Sequence, residues 1–129
     1  MSRNRPQAIL GIGNDVVEIE RIQEALDKYY DKFLKRLFTE KEIQKAWQFK
    51  NMACHIAGRF AAKEAVAKAL GVGFGNKLSW LDIEILNDDK GKPAVYLSSV
   101  AEELFQFPSI MLTISHSKTI ASAVALYLS

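Results

Sequence analysis

Phe60, Glu64 and Lys68 follow one another at intervals of four, so on a helix they form one stripe, which Gly71 completes. Glu64 stands among Ala61, Ala62, Ala65 and Val66. A carboxylate in such small apolar company is either held close to another element or coordinates a ligand, because an unpaired buried charge is costly. A surface Glu64–Lys68 pair, worth about 0.3–0.5 kcal/mol, explains the same spacing equally well. Arg59 and Lys63 adjoin the stripe, and in the plainest reading they are solvated charges.

Two further segments hold groups able to do chemistry. On a strand of period two, Gly11, Gly13 and Asp15 share a face, which sets the carboxylate beside positions without side chains and leaves room for a ligand. From this segment alone the simpler reading is favoured, in which Asp15 ends the strand or caps the next helix. GIG lacks the full dinucleotide fingerprint, and no Lys-Ser pair follows to make a phosphate loop. Near the end, Ser115 and His116 suggest a nucleophile and its base, but neighbours on a strand point to opposite faces, which argues against a hydrolase dyad. His116 continues the apolar series Ile110, Leu112 and Ile114, a pattern more typical of a satisfied core histidine than of a ligand. His55, at a helix start, has less still to recommend it.

The elements that must position these groups can be read from periodicity. Ala8 to Val17 is β-branched and punctuated by glycine, which predicts a buried strand, and Ile19, Ile22 and Leu26 give helical spacing from Glu18 to about Tyr30. Thr39 followed by Glu42 forms a capping box, so a second helix starts there with Ile43, Ala46 and Trp47 on one face. Good helix formers run from Met52 to Leu70, and Gly71 stands where a C-cap belongs. Trp80 to Leu86 alternates, Asp88 to Lys92 is turn-rich and Pro93 to Leu97 is extended, which together predict a hairpin. Ser98 to Phe105 reads as a short helix, and Ile110 to Ser115 and Ile120 to Leu128 as strands separated by HSKT. The predicted class is α+β, a largely antiparallel sheet packed against a long helix.

The 129 residues, 49% of them hydrophobic, suffice for one compact core, and no repeat, low-complexity tract or linker divides them. Residues 1–129 are therefore read as a single domain, with residues 1–7 loose. No apolar run reaches the roughly 18 residues that spanning a bilayer needs, and MSRNRPQA leads into no signal-type segment, so a soluble, unexported protein is expected. Cys54 alone permits neither an intrachain disulfide nor a cysteine metal cage, which fits a reducing cytoplasm. A net charge of +2 argues against bulk nucleic-acid binding.

Taken together, GIGNDVVEIERI, GRFAAKEAVAKALGVGFG, WLDIEI with GKPAV, and TISHS resemble in order and spacing the successive blocks of the holo-(acyl carrier protein) synthase family, from Ile9 to Leu128. The resemblance implies the phosphopantetheinyl transferase fold of the short trimeric type. It implies magnesium-dependent transfer of 4′-phosphopantetheine from coenzyme A to a serine of acyl carrier protein, leaving adenosine 3′,5′-bisphosphate, in support of fatty acid biosynthesis. Carried over by motif, Asp15 and Glu64 bind magnesium, Lys68 faces the coenzyme phosphates, and Glu64, directly or through a water, takes the serine proton. Two carboxylates with waters and phosphate oxygens suit that hard cation. The implied coenzyme contacts are Arg59, Lys68, Gly71, Gly91, Pro93, His116 and Ser117, with His116 a phosphate donor rather than a nucleophile. Ala67 departs from the pattern, at a helical position where some relatives carry serine.

The resemblance also implies a homotrimer with sites between subunits, the histidine block of one chain against the carboxylates of the next. The expected carrier dock is the first helical region, through Arg21, Lys28, Lys32, Lys35 and Arg36. If one helix persists, positions 28, 32, 35 and 36 fall on a single face, and a positive face steers an acidic carrier. Glu24, Asp27 and Asp31 are interleaved and dilute that charge. Two other classes of function compete with this reading. A non-catalytic phosphate-binding module would use the GIG or GVGFG amides and need no paired carboxylates, and a structural interaction domain would leave Asp15 and Glu64 merely ion-paired.

Overall fold

The computed structural model describes residues 8–129, so the loose start expected at residues 1–7 lies outside the described residues. Its elements in chain order are β1 (Ile9–Glu18), α1 (Ile19–Leu37), α2 (Glu40–Ala46), α3 (Met52–Leu70), β2 (Ile83–Asn87), β3 (Pro93–Leu97), α4 (Ser99–Leu104), β4 (Ser109–His116) and β5 (Ile120–Leu128). Every strand pairing is antiparallel, as expected, but the strands divide into a three-stranded sheet of order β1-β5-β4 and a separate β2-β3 hairpin.

The long helix α3 lies at the centre because its residues are small and apolar nearly all round, the pattern of a helix packed on more than one side. Ala57, Ala61, Ala62 and Ala65 are wholly buried. One apolar cluster packs α3 against the sheet and the hairpin, and a second packs its N-terminal half against α1 and α2. Both helix ends follow sequence logic. The Asn51 side chain accepts from the Cys54 N–H at 3.1 Å, and Gly71 stops the helix in the left-handed region (φ 79, ψ 22), with Val72 N–H returning to the Ala67 carbonyl.

The capping box at α2 also forms, with Thr39 N–H to Glu42 Oε1 at 2.8 Å and Glu42 N–H to Thr39 Oγ1 at 3.3 Å. Two boundaries differ from expectation. Residues Trp80–Asp82 form a tight 3-10 turn, not the first part of a strand, because the Asp82 carboxylate gathers the Ser79 N–H and the Ser98 hydroxyl. The helical run after β1 continues to Leu37 but breaks at Tyr30, whose backbone leaves helical geometry (φ 17, ψ −85). At that break the Tyr30 hydroxyl accepts from Trp47 Nε1 at 3.0 Å.

Candidate active site

The site begins with two missing side chains. A Cβ on Gly11 would lie 1.9 Å from the Ala69 carbonyl oxygen, and one on Gly13 would lie 2.0 Å from that of Ala65. Both separations are far inside van der Waals contact, so only glycine lets β1 run against the backbone of α3. The space that the sequence suggested for a ligand is filled by the helix. This close approach draws Asp15, the next residue on the same face, to the stripe of Glu64 and Lys68. Lys68 Nζ stands 3.2 Å from Asp15 Oδ1 and donates to the Asn14 carbonyl at 2.9 Å. Asp15 is therefore not a helix cap, the N-cap of α1 being Glu18, and Lys68 pairs across to β1. The surface Glu64–Lys68 pair is replaced by a contact between elements.

Glu64 is half-buried in this corner. Its carboxyl titrates above the usual carboxylate range, first through burial and next through the negative charge of Asp15, with Lys68 opposing both. The two acids thus share one local field that a half-exposed lysine only partly balances. All acceptors here are hard oxygens, and the negative charge exceeds what Lys68 supplies, so the residues fit a magnesium-type cation. Among the described residues no group of three His, Cys, Asp or Glu side chains converges, so such a cation would draw its other ligands from water or from a substrate phosphate.

The remaining candidates stand apart from this corner. Arg59 is half-buried, not solvated: its Nη2 donates to Asn87 Oδ1 at 2.9 Å, at the end of β2, and its Nε is buried without a partner. Asn87 pairs with Pro93 across the hairpin, and Gly91, with φ 82, makes the turn between them. A cavity of about 510 Å³ opens there, lined by Asn87, Asp88, Asp89 and Gly91 together with Lys41 and Lys45, two cations that the sequence reading missed. Their only sequence signal is a basic i, i+4 spacing on α2. Gly71 ends α3 one turn beyond Lys68 with open space around it.

His116 is exposed, which removes the core-histidine reading. Ile114 is the last residue of its face to meet α3, packing at Gly58, and β4 carries His116 beyond that cover. Ser115 and His116 alternate on the same strand, as the argument against a dyad requires. In register His116 lies level with Ala121 and Val17, two strands from β1 and two residues past the row of Asp15, so roughly 10 Å separates it laterally from that strand. Ser117 turns the chain back, its Oγ accepting the N–H groups of Thr119 and Ile120.

Nor do the basic residues of the first helix share one face. The break at Tyr30 separates Lys28 from the rest; Lys32 and Arg36 line a cleft with Tyr29, Phe33, Leu37 and Trp80, while Lys35 lines the neighbouring groove beside Asp31 and Trp47. Arg21 is highly exposed, with only a 3.9 Å contact to Glu18. Lys63, expected in solvent, is wholly buried against Glu42 at 2.7 Å.

His55 is a structural residue, buried and stacked on Phe49 with ring centroids 4.0 Å apart. Burial, aided by the charges of Arg59 and Lys45, pushes its imidazole down from 6.5 to about 4. Between those two values the unfolded chain binds a proton that the folded chain refuses, so this stability is complete above pH 6.5 and is lost as pH falls toward 4. Going from pH 7 to pH 5 should remove about 2 kcal/mol through this residue. In urea titrations His55→Phe should lose less stability over that interval than the wild type, and equal losses would refute the assignment.

Comparison with known proteins gives the arrangement a family. The family model described as the 4′-phosphopantetheinyl transferase superfamily matches residues 11–121. The holo-[acyl-carrier-protein] synthase of Protochlamydia amoebophila is 52% identical over 118 residues, covering 92% of this chain and 97% of that protein. A holo-(acyl-carrier-protein) synthase from Bacillus anthracis, solved in complex with CoA (3′,5′-ADP), superposes with a TM-score of 0.81 at 43% identity, covering 94% of this chain and 97% of the other. The Helicobacter pylori holo-[acyl-carrier-protein] synthase in complex with coenzyme A gives a TM-score of 0.83 at 40% identity, covering 90% and 98%. With a match across nearly all of its elements and these levels of identity, this chain belongs to the 4′-phosphopantetheinyl transferase superfamily, beside the holo-(acyl carrier protein) synthases.

Proposed function

We propose that this chain transfers 4′-phosphopantetheine from coenzyme A to a serine of acyl carrier protein, with magnesium held by Asp15 and Glu64. The observation that carries the reading is the acidic pair beside Lys68, brought to one open corner by Gly11 and Gly13 in a chain of this superfamily. Residues 1–129 act as one domain, and the setting we propose is fatty acid synthesis in the cytoplasm. Among the described residues no helix is long and apolar enough to cross a membrane.

Lys68, half-exposed, can turn from Asp15 to the coenzyme pyrophosphate and hold it. Glu64, half-buried at the corner, takes the proton of the carrier serine, directly or through a water. The serine oxygen then bonds to the phosphorus nearer pantetheine, and the bond from that phosphorus to the bridging oxygen breaks, releasing adenosine 3′,5′-bisphosphate. Bound magnesium supplies neutralisation of the pyrophosphate charge. Arg59, Gly91 and Pro93, with Lys41 and Lys45 beside them, form the coenzyme's nucleotide end, and Gly71, His116 and Ser117 are its further contacts. Incubating the chain with coenzyme A, magnesium and purified apo-carrier should add the mass of phosphopantetheine to the carrier. No gain in mass would overturn the reading.

The histidine block, His116 and Ser117, and the acidic corner come from neighbouring chains of a homotrimer. Two features support this. His116 does not reach Asp15 within one chain, and the outer face of the three-stranded sheet is apolar yet exposed, with Ile12 67%, Val16 58%, Met111 51% and Val124 40% accessible. Mixing inactive Asp15→Asn and His116→Ala proteins should restore part of the activity through hybrid sites. An active monomer in sedimentation would contradict the assembly.

Carrier docking narrows to the cleft lined by Lys32 and Arg36, with Lys35 in the neighbouring groove. Lys32→Glu with Arg36→Glu should raise KM for the carrier roughly tenfold and leave KM for coenzyme A unchanged, since surface charges act mainly on encounter. Lys35→Glu serves as the control, and an equal effect from it would move the dock to the other groove.

A further inference from the structure

The residue before Glu64 takes no part in the chemistry above, yet it is the most committed polar group in the molecule. Lys63 is wholly buried, and its ammonium donates to Glu42 Oε1 at 2.7 Å, to the Leu37 carbonyl at 2.7 Å and to the Trp80 carbonyl at 3.1 Å. Glu42 is equally occupied, with Oε1 also accepting the Thr39 N–H and Oε2 the Ile85 N–H, each at 2.8 Å. The end of α1, the first turn of α2 and the turn at Trp80 therefore meet on one side chain of α3, and β2 joins them through Glu42. A buried ion pair is weak evidence for stability, because desolvation offsets the attraction. Its hydrogen bonds are directional, however, and what they fix is relative position.

The parts they join are the ones the reaction must bring together. Leu37 and Trp80, which supply the two carbonyls, both line the cleft that carries Lys32 and Arg36. Successive residues leave a helix about 100° apart, so the turn that anchors Lys63 in the core also presents Glu64 to Asp15. We propose that Lys63 is a positioning residue for transfer, locking the cleft of Lys32, Arg36 and Trp80 at a set distance from Glu64 so that the acceptor serine arrives in line. This rests on the reading of that cleft as the carrier dock.

The test is the double variant Lys63→Met/Glu42→Gln, which removes both buried charges together. Assayed well below its melting midpoint, it should lose kcat with saturating carrier by roughly ten- to a hundredfold, as displacement of reactants by an ångström does. Its KM for coenzyme A should stay within about twofold of wild type. A folded double variant with wild-type kcat and only a lower midpoint would reduce Lys63 to a structural role and overturn the proposal. Native-state hydrogen exchange on the unaltered protein covers a variant that fails to fold. The amides of Phe38 and Asp82 should exchange only with the opening that releases α3, and exchange about a hundredfold faster than α3 would overturn the lock. If Lys32→Glu/Arg36→Glu leaves the carrier KM unchanged while the double variant behaves as expected, it is the dock that is misplaced and not the lock.

Discussion

Asp15→Asn and Glu64→Gln are each expected to cut phosphopantetheine transfer roughly a thousandfold, the upper range for loss of one group that stabilises transition-state charge. Each change preserves shape and removes one charge from a corner in which Asp15 and Glu64 already raise each other's energy. Thermal stability should therefore be unchanged or slightly higher, because a repulsion is relieved and Asp15 retains an oxygen toward Lys68. Coenzyme binding should also lose its dependence on magnesium, which calorimetry with and without the metal would register. Full activity of either variant at limiting magnesium would remove both carboxylates from the metal site.

Gly13→Ala should be more damaging than its single methyl suggests. The new Cβ would stand 2.0 Å from the Ala65 carbonyl oxygen, 2.6 Å from the Ala69 nitrogen and 2.8 Å from Lys68 Cβ. The first two are backbone atoms of a helix packed on several sides, so no rotamer change relieves them. We expect a loss of about 3 kcal/mol, the top of the usual range for overpacking. Transfer should fail even where the variant remains folded, because β1 must move off α3 and carry Asp15 away from Glu64. Gly73→Ala is the matched control, since nothing lies within 4 Å of the added carbon and the backbone there is ordinary. Equal denaturation midpoints for the two variants would show that β1 does not depend on this contact.

Much of the scaffold was legible because it is specified locally. The extent of α3 follows from its run of good helix formers and Gly71, and the start of α2 from Thr39 and Glu42, whose reciprocal bonds span only three residues. Alternation with a turn-rich segment similarly identified the β2-β3 hairpin, and β-branched or apolar runs the two C-terminal strands. The break at Tyr30 carries no such signal. No proline or glycine marks it, and the Tyr30 hydroxyl is bonded instead to Trp47, just past the end of α2. Trp80–Asp82 reads as strand because its side chains alternate, while the carboxylate that bends it finds a partner at Ser98.

By itself, the sequence determined the class of fold, the ends of its main helix and the residue types at the reacting corner, since each depends on a few neighbours in the chain. Only the tertiary structure decided their partners. Lys68 had an acid four residues away at Glu64 and pairs with one 53 positions distant at Asp15, because Gly11 and Gly13 bring the β1 backbone onto α3. Lys63 and Glu64 are adjacent and both charged, yet one is sealed in the core and the other faces the corner where transfer is proposed. Periodicity reports which side of an element a residue occupies. Whether that side meets solvent, an opposite charge or another backbone is fixed by how whole elements pack, and that is where these two residues acquire opposite roles.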